Sequence, residues 1–205
     1  MIRSMRTLII LAAYISFFGA VHSLMAAKRV KNKVYKFLDP PQYRLIYTII
    51  SVLLVLPILM IWGKGRGSSP TIFLVPYPYN LISYLVVLTG AALFVMAAMR
   101  TDLFEFVGLN AFFKKKDTGS KLTTDGLYAF CRHPMYLSAM IVLWALPELK
   151  LIDIIGNGFI TVYFILGAWL EEQKMVEDFG QEYKNYMQEV SMFIPLMWLK
   201  ERLKK

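Results

Sequence analysis

Apolar residues along this chain arrive in blocks. Residues 7–27, 43–62 and 80–99 are almost unbroken apolar runs, and a hydrocarbon core takes roughly 20 residues as a helix. A fourth block, 136–147, is about half a comfortable span, and a fifth covers 152–170. The pattern predicts an all-α integral membrane protein with about five transmembrane helices. The fourth either begins earlier, near Leu127, or forms a tight hairpin with the fifth. His22 and Ser23 stand at the end of the first block with no small-residue cleavage site after them, so that block reads as a retained span rather than a signal peptide.

Polar punctuation fills in the rest. In "LDPPQYR" two prolines end one element and restart the backbone before the second span. "GKGRGSSP" reads as a flexible outer turn, and "PYPYN" brings tyrosines to headgroup depth. Gly90, Ala91 and Ala92 are small enough to let helices approach closely. "TDLFEFVGLNAFF" is apolar on one side and reads as an interfacial segment, followed by the polar loop "KKKDTGSKLTTDG". After the fifth span Met175, Val176, Phe179, Tyr183 and Tyr186 recur at helical spacing. They predict a C-terminal cytoplasmic helix interrupted near Gly180. No repeat appears, and residues 1–205 read as a single domain.

Charge orients this picture. Of 23 Lys and Arg, only Arg3, Arg6, Lys64, Arg66 and Lys150 fall on one side of the blocks. The rest share the other side, so the inside-positive rule puts the N-terminus outside and the C-terminus in the cytoplasm. The formal net charge of +9 then suits anionic membrane lipids. No aromatic-interleaved basic groove points to nucleic acid. Cys131, the one cysteine, excludes an internal disulfide framework and a thiolate metal site, and reads as a small, partly buried residue.

The chemistry concentrates in "CRHPMYLS", where Arg132 and His133 enter the membrane region, and in Glu171 and Glu172, where the fifth span leaves it. Ionisable groups at membrane depth are expensive and mark functional sites. Carboxylates attract cations and accept hydrogen bonds from amines; an arginine fork holds a carboxylate. A zwitterionic small molecule would satisfy both, and the apolar bundle beside it could admit a lipophilic partner from the bilayer.

"RHPMYLS" followed by "EEQKMVEDFGQEYKNYMQEVSMFIP" resembles the membrane methyltransferases grouped around isoprenylcysteine carboxyl methyltransferase and phospholipid methyltransferase, over residues 127–195. "HSLMAAKRVK", "TDLFEFVGL" and "LWALPELK" are similar to the branch that holds methanethiol S-methyltransferase and proteins of nitrite and nitric-oxide reduction operons. The resemblance implies S-adenosyl-L-methionine as methyl donor, bound at the cytoplasmic face by 127–195. It implies Tyr128, His133, Pro134, Tyr136, Glu171 and Glu172 as donor-binding residues, and Arg132 and His133 as candidate catalytic residues; His22, at the cytoplasmic end of the first span and at the same depth as His133, is a third candidate facing the acceptor. The acceptor would be a lipophilic or small thiol or carboxylate. A carboxylate acceptor needs no general base, whereas a thiol must lose its proton, for which His22 or His133 is conceivable.

Two departures stand out: Ser138 occupies a position where the family usually has glycine, and "YKNYMQEV" lacks an arginine that some relatives carry. Two other classes compete. A haem carrier with His22 and His133 as axial ligands leaves the acidic pair without a role. A sterol-type NADPH reductase has a similar C-terminal ending, but basic and Arg-Asp residues where this chain has Glu171 and Glu172.

Overall fold

In a lipid solvent every backbone N–H and C=O must be satisfied within the segment, which leaves helices as the natural form of the long apolar blocks. The computed structural model describes residues 2–101, 109 and 122–197, with side chains from residue 5 onward. Its elements are α1 (Ile2–Ala26), α2 (Lys28–Val34), α3 (Pro40–Arg66), β1 (Thr71–Leu74), α4 (Asn80–Ala98), a 3₁₀ turn (Gly126–Ala129), α5 (Pro134–Trp144), β2 (Glu148–Lys150), α6 (Leu151–Phe179) and α7 (Gln181–Glu189). Helices α1, α3, α4 and α6 are long and apolar enough to cross a membrane, and α5 is a shorter apolar helix. This is an all-α integral membrane protein. The expected interfacial segment and the lysines 114–116 lie outside the described residues.

Two compact units divide the chain. The first holds residues 2–73 and 149–160. Leu8, Leu11 and Ile15 of α1 meet Ile58 of α3 and Ile152 of α6 in its core, with Phe18, Ile61 and Trp62 packed around them. The opposite faces, including Ile9, Leu53 and Leu56, are exposed, which suits residues whose solvent is lipid rather than water. Hydroxyls on these faces close on their own helix: Ser16 donates to Ala12 O at 2.9 Å, Thr48 to Arg44 O at 3.0 Å and Ser51 to Tyr47 O at 2.8 Å. Pro40 and Pro41 begin α3, where a missing N–H costs nothing, and Gln42 accepts the Asp39 N–H.

α3 does not stop at Trp62. It runs through Gly63, Lys64 and Gly65 to Arg66, so the outer turn is confined to the residues after it. The reason is packing. Gly65 is buried, and a Cβ there would collide with Ile152 and lie 2.9 Å from Thr7 Cγ2. Nearby, the Asp153 carboxylate in the first turn of α6 accepts from Trp62 Nε1 at 2.6 Å and Lys150 N at 2.9 Å, and pairs with Arg66 Nε at 3.0 Å. Residues 71–73 of β1 and 149–150 of β2 form a two-stranded ladder beside this lock.

The second unit holds 74–101, 122–148 and 161–197. Here α4 lies on α5. A Cβ at Gly90 would sit 3.0 Å from Val142 Cγ2, 3.1 Å from Ile141 Cγ2 and 3.3 Å from Ser138 O, so the two helices are close there and leave no room for a large side chain. Ala91 and Ala92 face outward instead, because only one of three consecutive helical positions can point at a given neighbour. Leu127 falls in the 3₁₀ turn, and α5 begins only at Pro134. With 11 residues at about 1.5 Å each, α5 reaches roughly halfway across a 30 Å core. α6 has 29 residues, about 43 Å, and so projects well beyond that core. Gly180, at φ 59°, ends it in a conformation that glycine alone adopts without strain, and α7 follows.

Candidate active site

Proline at the first position of α5 disfavours helix at the residue before it. His133 accordingly takes φ −123°, ψ 61° and stands as the cap of α5 rather than inside it. Its N–H is freed to pair elsewhere: it donates to Met192 O at 3.1 Å, while Arg132 N–H donates to Ser191 O at 2.9 Å. A parallel bridge between Cys131 and Ser191 completes the pairing. The backbone of 131–133 is thereby fastened to the segment after α7.

The side chains converge from there. Arg132 Nε donates to Glu172 Oε1 at 2.6 Å, and its Nη1 donates to Met187 O at 3.1 Å and to Val190 O. These carbonyls belong to the end of α7, where the helix dipole favours a cation. His133 Nε2 lies 3.2 Å from the same Glu172 oxygen, and its Nδ1 lies 3.8 Å from Glu171 Oε2. Tyr136 donates its hydroxyl to Glu171 Oε2 at 3.1 Å. The rings form a column: His133 stacks on Tyr136 at 5.6 Å, Tyr136 on Phe164 at 5.1 Å, and Phe193 lies 5.8 Å from His133.

Burial divides the cluster. The side chains of Arg132, His133 and Glu172 are 7–8% exposed, whereas that of Glu171 is 42% exposed. Around it, burial pushes the Tyr128 phenol up to about 12, with the Glu171 charge adding to the shift. Burial also raises Tyr183 and Tyr186, and the Glu172 charge pushes Tyr183 further. Tyr186 donates its hydroxyl to Tyr128 O at 2.6 Å, so these two tyrosines of α7 pack and anchor. Cys131 is buried, and that burial lifts its thiol to about 11.

Arg132, His133, Tyr136, Glu171 and Glu172 are thus brought together although Arg132 and Glu172 stand 40 positions apart in the chain, with the Tyr128 phenol close enough to feel Glu171. Pro134 is buried at the start of α5. Ser138 is buried too, and donates to Pro134 O at 2.7 Å, so its hydroxyl is spent within its own helix. His22 belongs to the first unit. There Tyr47 reaches its ring, 3.1 Å from Nδ1, and Phe18 lies 5.4 Å away. Phe164, Phe193 and Tyr47 carry no local signal that would single them out among 15% aromatic residues; only the fold reveals their contacts.

A cluster of this kind can hold a small polar molecule: a half-exposed carboxylate and a phenol beside stacked aromatic faces, backed by a buried ion pair. Comparison with known proteins adds names to it. Methanethiol S-methyltransferase 1 of Bradyrhizobium diazoefficiens is 31% identical over 183 residues, which is 87% of this chain and 63% of that protein. The chain thus spans less than two thirds of that relative's length. Protein-S-isoprenylcysteine O-methyltransferase of Schizosaccharomyces pombe is 36% identical over 91 residues, 40% of this chain and 36% of the relative. Nurim of Danio rerio is 28% identical over 170 residues, 76% of this chain and 60% of the relative. No solved structure matches. The family model described as NnrU protein matches residues 10–198, and the chain belongs to that family.

Proposed function

We propose that the protein is an S-adenosyl-L-methionine-dependent methyltransferase whose acceptor is a lipophilic or small membrane-permeant thiol, or an isoprenylcysteine-like carboxylate. The observation that carries this reading is the half-exposed Glu171 carboxylate held by Tyr136 beside the buried Arg132–Glu172–His133 triad. The names of the relatives support it, since methanethiol and isoprenylcysteine methyltransferases stand among them. The donor set fits the group: carboxylates suit an ammonium, and aromatic faces suit adenine and a sulfonium.

Residues 127–195 would hold the donor, through Tyr128, His133, Pro134, Tyr136, Glu171 and Glu172. S-adenosylmethionine supplies, when bound, an electrophilic methyl on sulfur. Tyr136 and Glu171 orient its polar end, and Arg132 keeps Glu172 and His133 in register. The apolar helices exclude water, which favours attack by a thiolate or carboxylate, and fixed placement of the reactants contributes much of the remainder. A carboxylate acceptor needs no base. A thiol gives its proton to an imidazole, His133 or His22. The distribution of Lys and Arg supports a site on the cytoplasmic face, with the N-terminus outside and the C-terminus in the cytoplasm.

Calorimetry of the detergent-purified protein with S-adenosylmethionine and S-adenosylhomocysteine tests the reading, followed by a labelled-methyl screen over small thiols, prenyl-cysteines and lipid amines. Saturable binding of both nucleosides and label in a thiol or prenyl-cysteine are expected. Absence of binding to either nucleoside would overturn it.

A further inference from the structure

The two strands of the small sheet differ sharply in how they are covered. Leu149 at the centre of β2 is buried and its neighbours are half-buried, whereas all four residues of β1 are exposed. Successive residues of a strand point to opposite faces, so a sheet lying on a core buries every second one. In β1 neither face is covered: Ile72 is 56% and Phe73 52% exposed. The strand is nevertheless fastened. Pro70 O, just before it, accepts the Leu151 N–H at 2.9 Å, and Ser69 Oγ accepts the Ile152 N–H at 3.0 Å.

In water, an apolar edge strand open on both faces is a template for aggregation, which soluble sheets blunt with charge. This chain supplies none there: residues 67–99 contain no Asp, Glu, Lys or Arg. The nearest charges are engaged elsewhere, with Arg66 Nε on Asp153 at 3.0 Å and Lys150 Nζ donating to Arg66 O at 3.0 Å. Along the chain β1 lies between α3 and α4, both long and apolar enough to cross a membrane, so the bilayer is the surface continuous with it. Its depth is limited from the other side. The strand order is β1–β2, so the second edge of β1 has no strand beside it, and an open sheet edge is not tolerated in hydrocarbon. The boundary between headgroups and acyl chains meets both demands. Apolar side chains find lipid there, and backbone groups find water and headgroup oxygens.

We infer that β1 is a lipid-anchoring strand, embedded in that boundary with Ile72 and Phe73 both in contact with phospholipid. The attraction is apolar burial rather than charge, so zwitterionic and anionic lipids serve alike. The anchor fixes the depth of the connection that leaves α3. It stands independently of the methyltransferase reading and of which face of the membrane α3 ends on.

Nitroxide labels on Ile72→Cys, Phe73→Cys and the exposed Ser68→Cys test this, each in the full chain with Cys131→Ser and each checked by melting. The proteins are reconstituted in phosphatidylcholine vesicles, with and without phosphatidylglycerol. Collisions with oxygen, which concentrates in lipid, are compared with collisions with a water-soluble nickel chelate. The oxygen-to-nickel ratio is expected above unity at Ile72→Cys and Phe73→Cys, below unity at Ser68→Cys, and unchanged by phosphatidylglycerol. Phe73→Trp, which keeps an apolar ring, gives a second reading should a labelled protein fail to fold: its added emission should be quenched by brominated phosphatidylcholine. Nickel-accessible labels at both positions, or an added tryptophan that brominated lipid leaves unquenched, overturn the anchor. One label in lipid and the other in water overturns it too, since the strand would then only rest on the surface. Spin–spin broadening that disappears on dilution with unlabelled protein assigns the face to a second copy of the chain and overturns the lipid assignment. A ratio that exceeds unity only with phosphatidylglycerol overturns the apolar basis.

Discussion

Arg132 Nε and Glu172 Oε1 lie 2.6 Å apart, both side chains 8% exposed. Burying two charges costs several kcal/mol per ion, about what their attraction returns, so the pair adds little net stability. Losing one partner is different, because the other is left charged and buried. Arg132→Ala alone should destabilise the folded protein by about 3–5 kcal/mol, and Arg132→Met with Glu172→Leu together by clearly less than the sum of the single changes. Unfolding in mixed detergent micelles, run as a double-mutant cycle, measures this. Strictly additive single and double variants would show that the two side chains do not act as a pair.

Cys131 offers a probe of the same neighbourhood. Burial raises its thiol from 9.0 to about 11, so the thiol form is favoured by folding. That contribution is complete below pH 9 and is lost as pH rises from 9 towards 11. At pH 8 far less of it is thiolate than of a free cysteine, of which about a tenth is ionised. Alkylation by iodoacetamide at pH 8 should therefore be slow until the protein is denatured. Rapid modification of the folded protein would contradict the burial of the 131–133 segment.

The α4–α5 contact at Gly90 can be tested by size. Alanine gains about 1 kcal/mol of helix propensity over glycine, which offsets the slight crowding against Val142 and Ile141; Gly90→Ala should be nearly neutral. Gly90→Leu has no such room and should cost about 1–3 kcal/mol. Thermal melts in detergent decide, and a Gly90→Leu protein as stable as wild type would contradict the packing.

Orientation has its own test. In a Cys131→Ser background, a cysteine at the exposed Ser68 should react with a membrane-impermeant maleimide from outside the cell. One at the exposed Gln181 should react only after permeabilisation. The reverse pattern would put the charge-rich side outside.

Much of the fold is legible because lipid imposes a simple rule: twenty apolar residues make a span. Blocks 7–27, 43–62, 80–99 and 152–170 fall within or nearly on α1, α3, α4 and α6, the short block is the short helix α5, and Gly180 marks the break before α7. Pro134 likewise announces the non-helical His133. The end of α3 is misread because Gly63, Lys64 and Gly65 look like a turn until Ile152 and Thr7 are known to pack on Gly65. Nor does any local pattern reveal that 131–133 pairs with 191–192, that Arg132 reaches the carbonyls of Met187 and Val190, or that Asp153 gathers Trp62, Lys150 and Arg66. Those are long-range contacts made by ordinary polar residues. The adjacent glutamates are visible in the sequence, but their unequal burial comes only from the packing of α6 against Arg132 and His133.

The central claim is that this cluster supports methyl transfer, and the most direct measurement is single-turnover transfer of labelled methyl by wild type and His133→Ala, side by side. Both are reconstituted with S-adenosylmethionine and either a small alkyl thiol or a prenyl-cysteine, with folding verified by melting. The account predicts transfer by the wild type to at least one acceptor, and a rate at least about a hundredfold lower in a folded His133→Ala protein. Full wild-type turnover in His133→Ala, or no turnover in a wild type that binds S-adenosylmethionine, would contradict it.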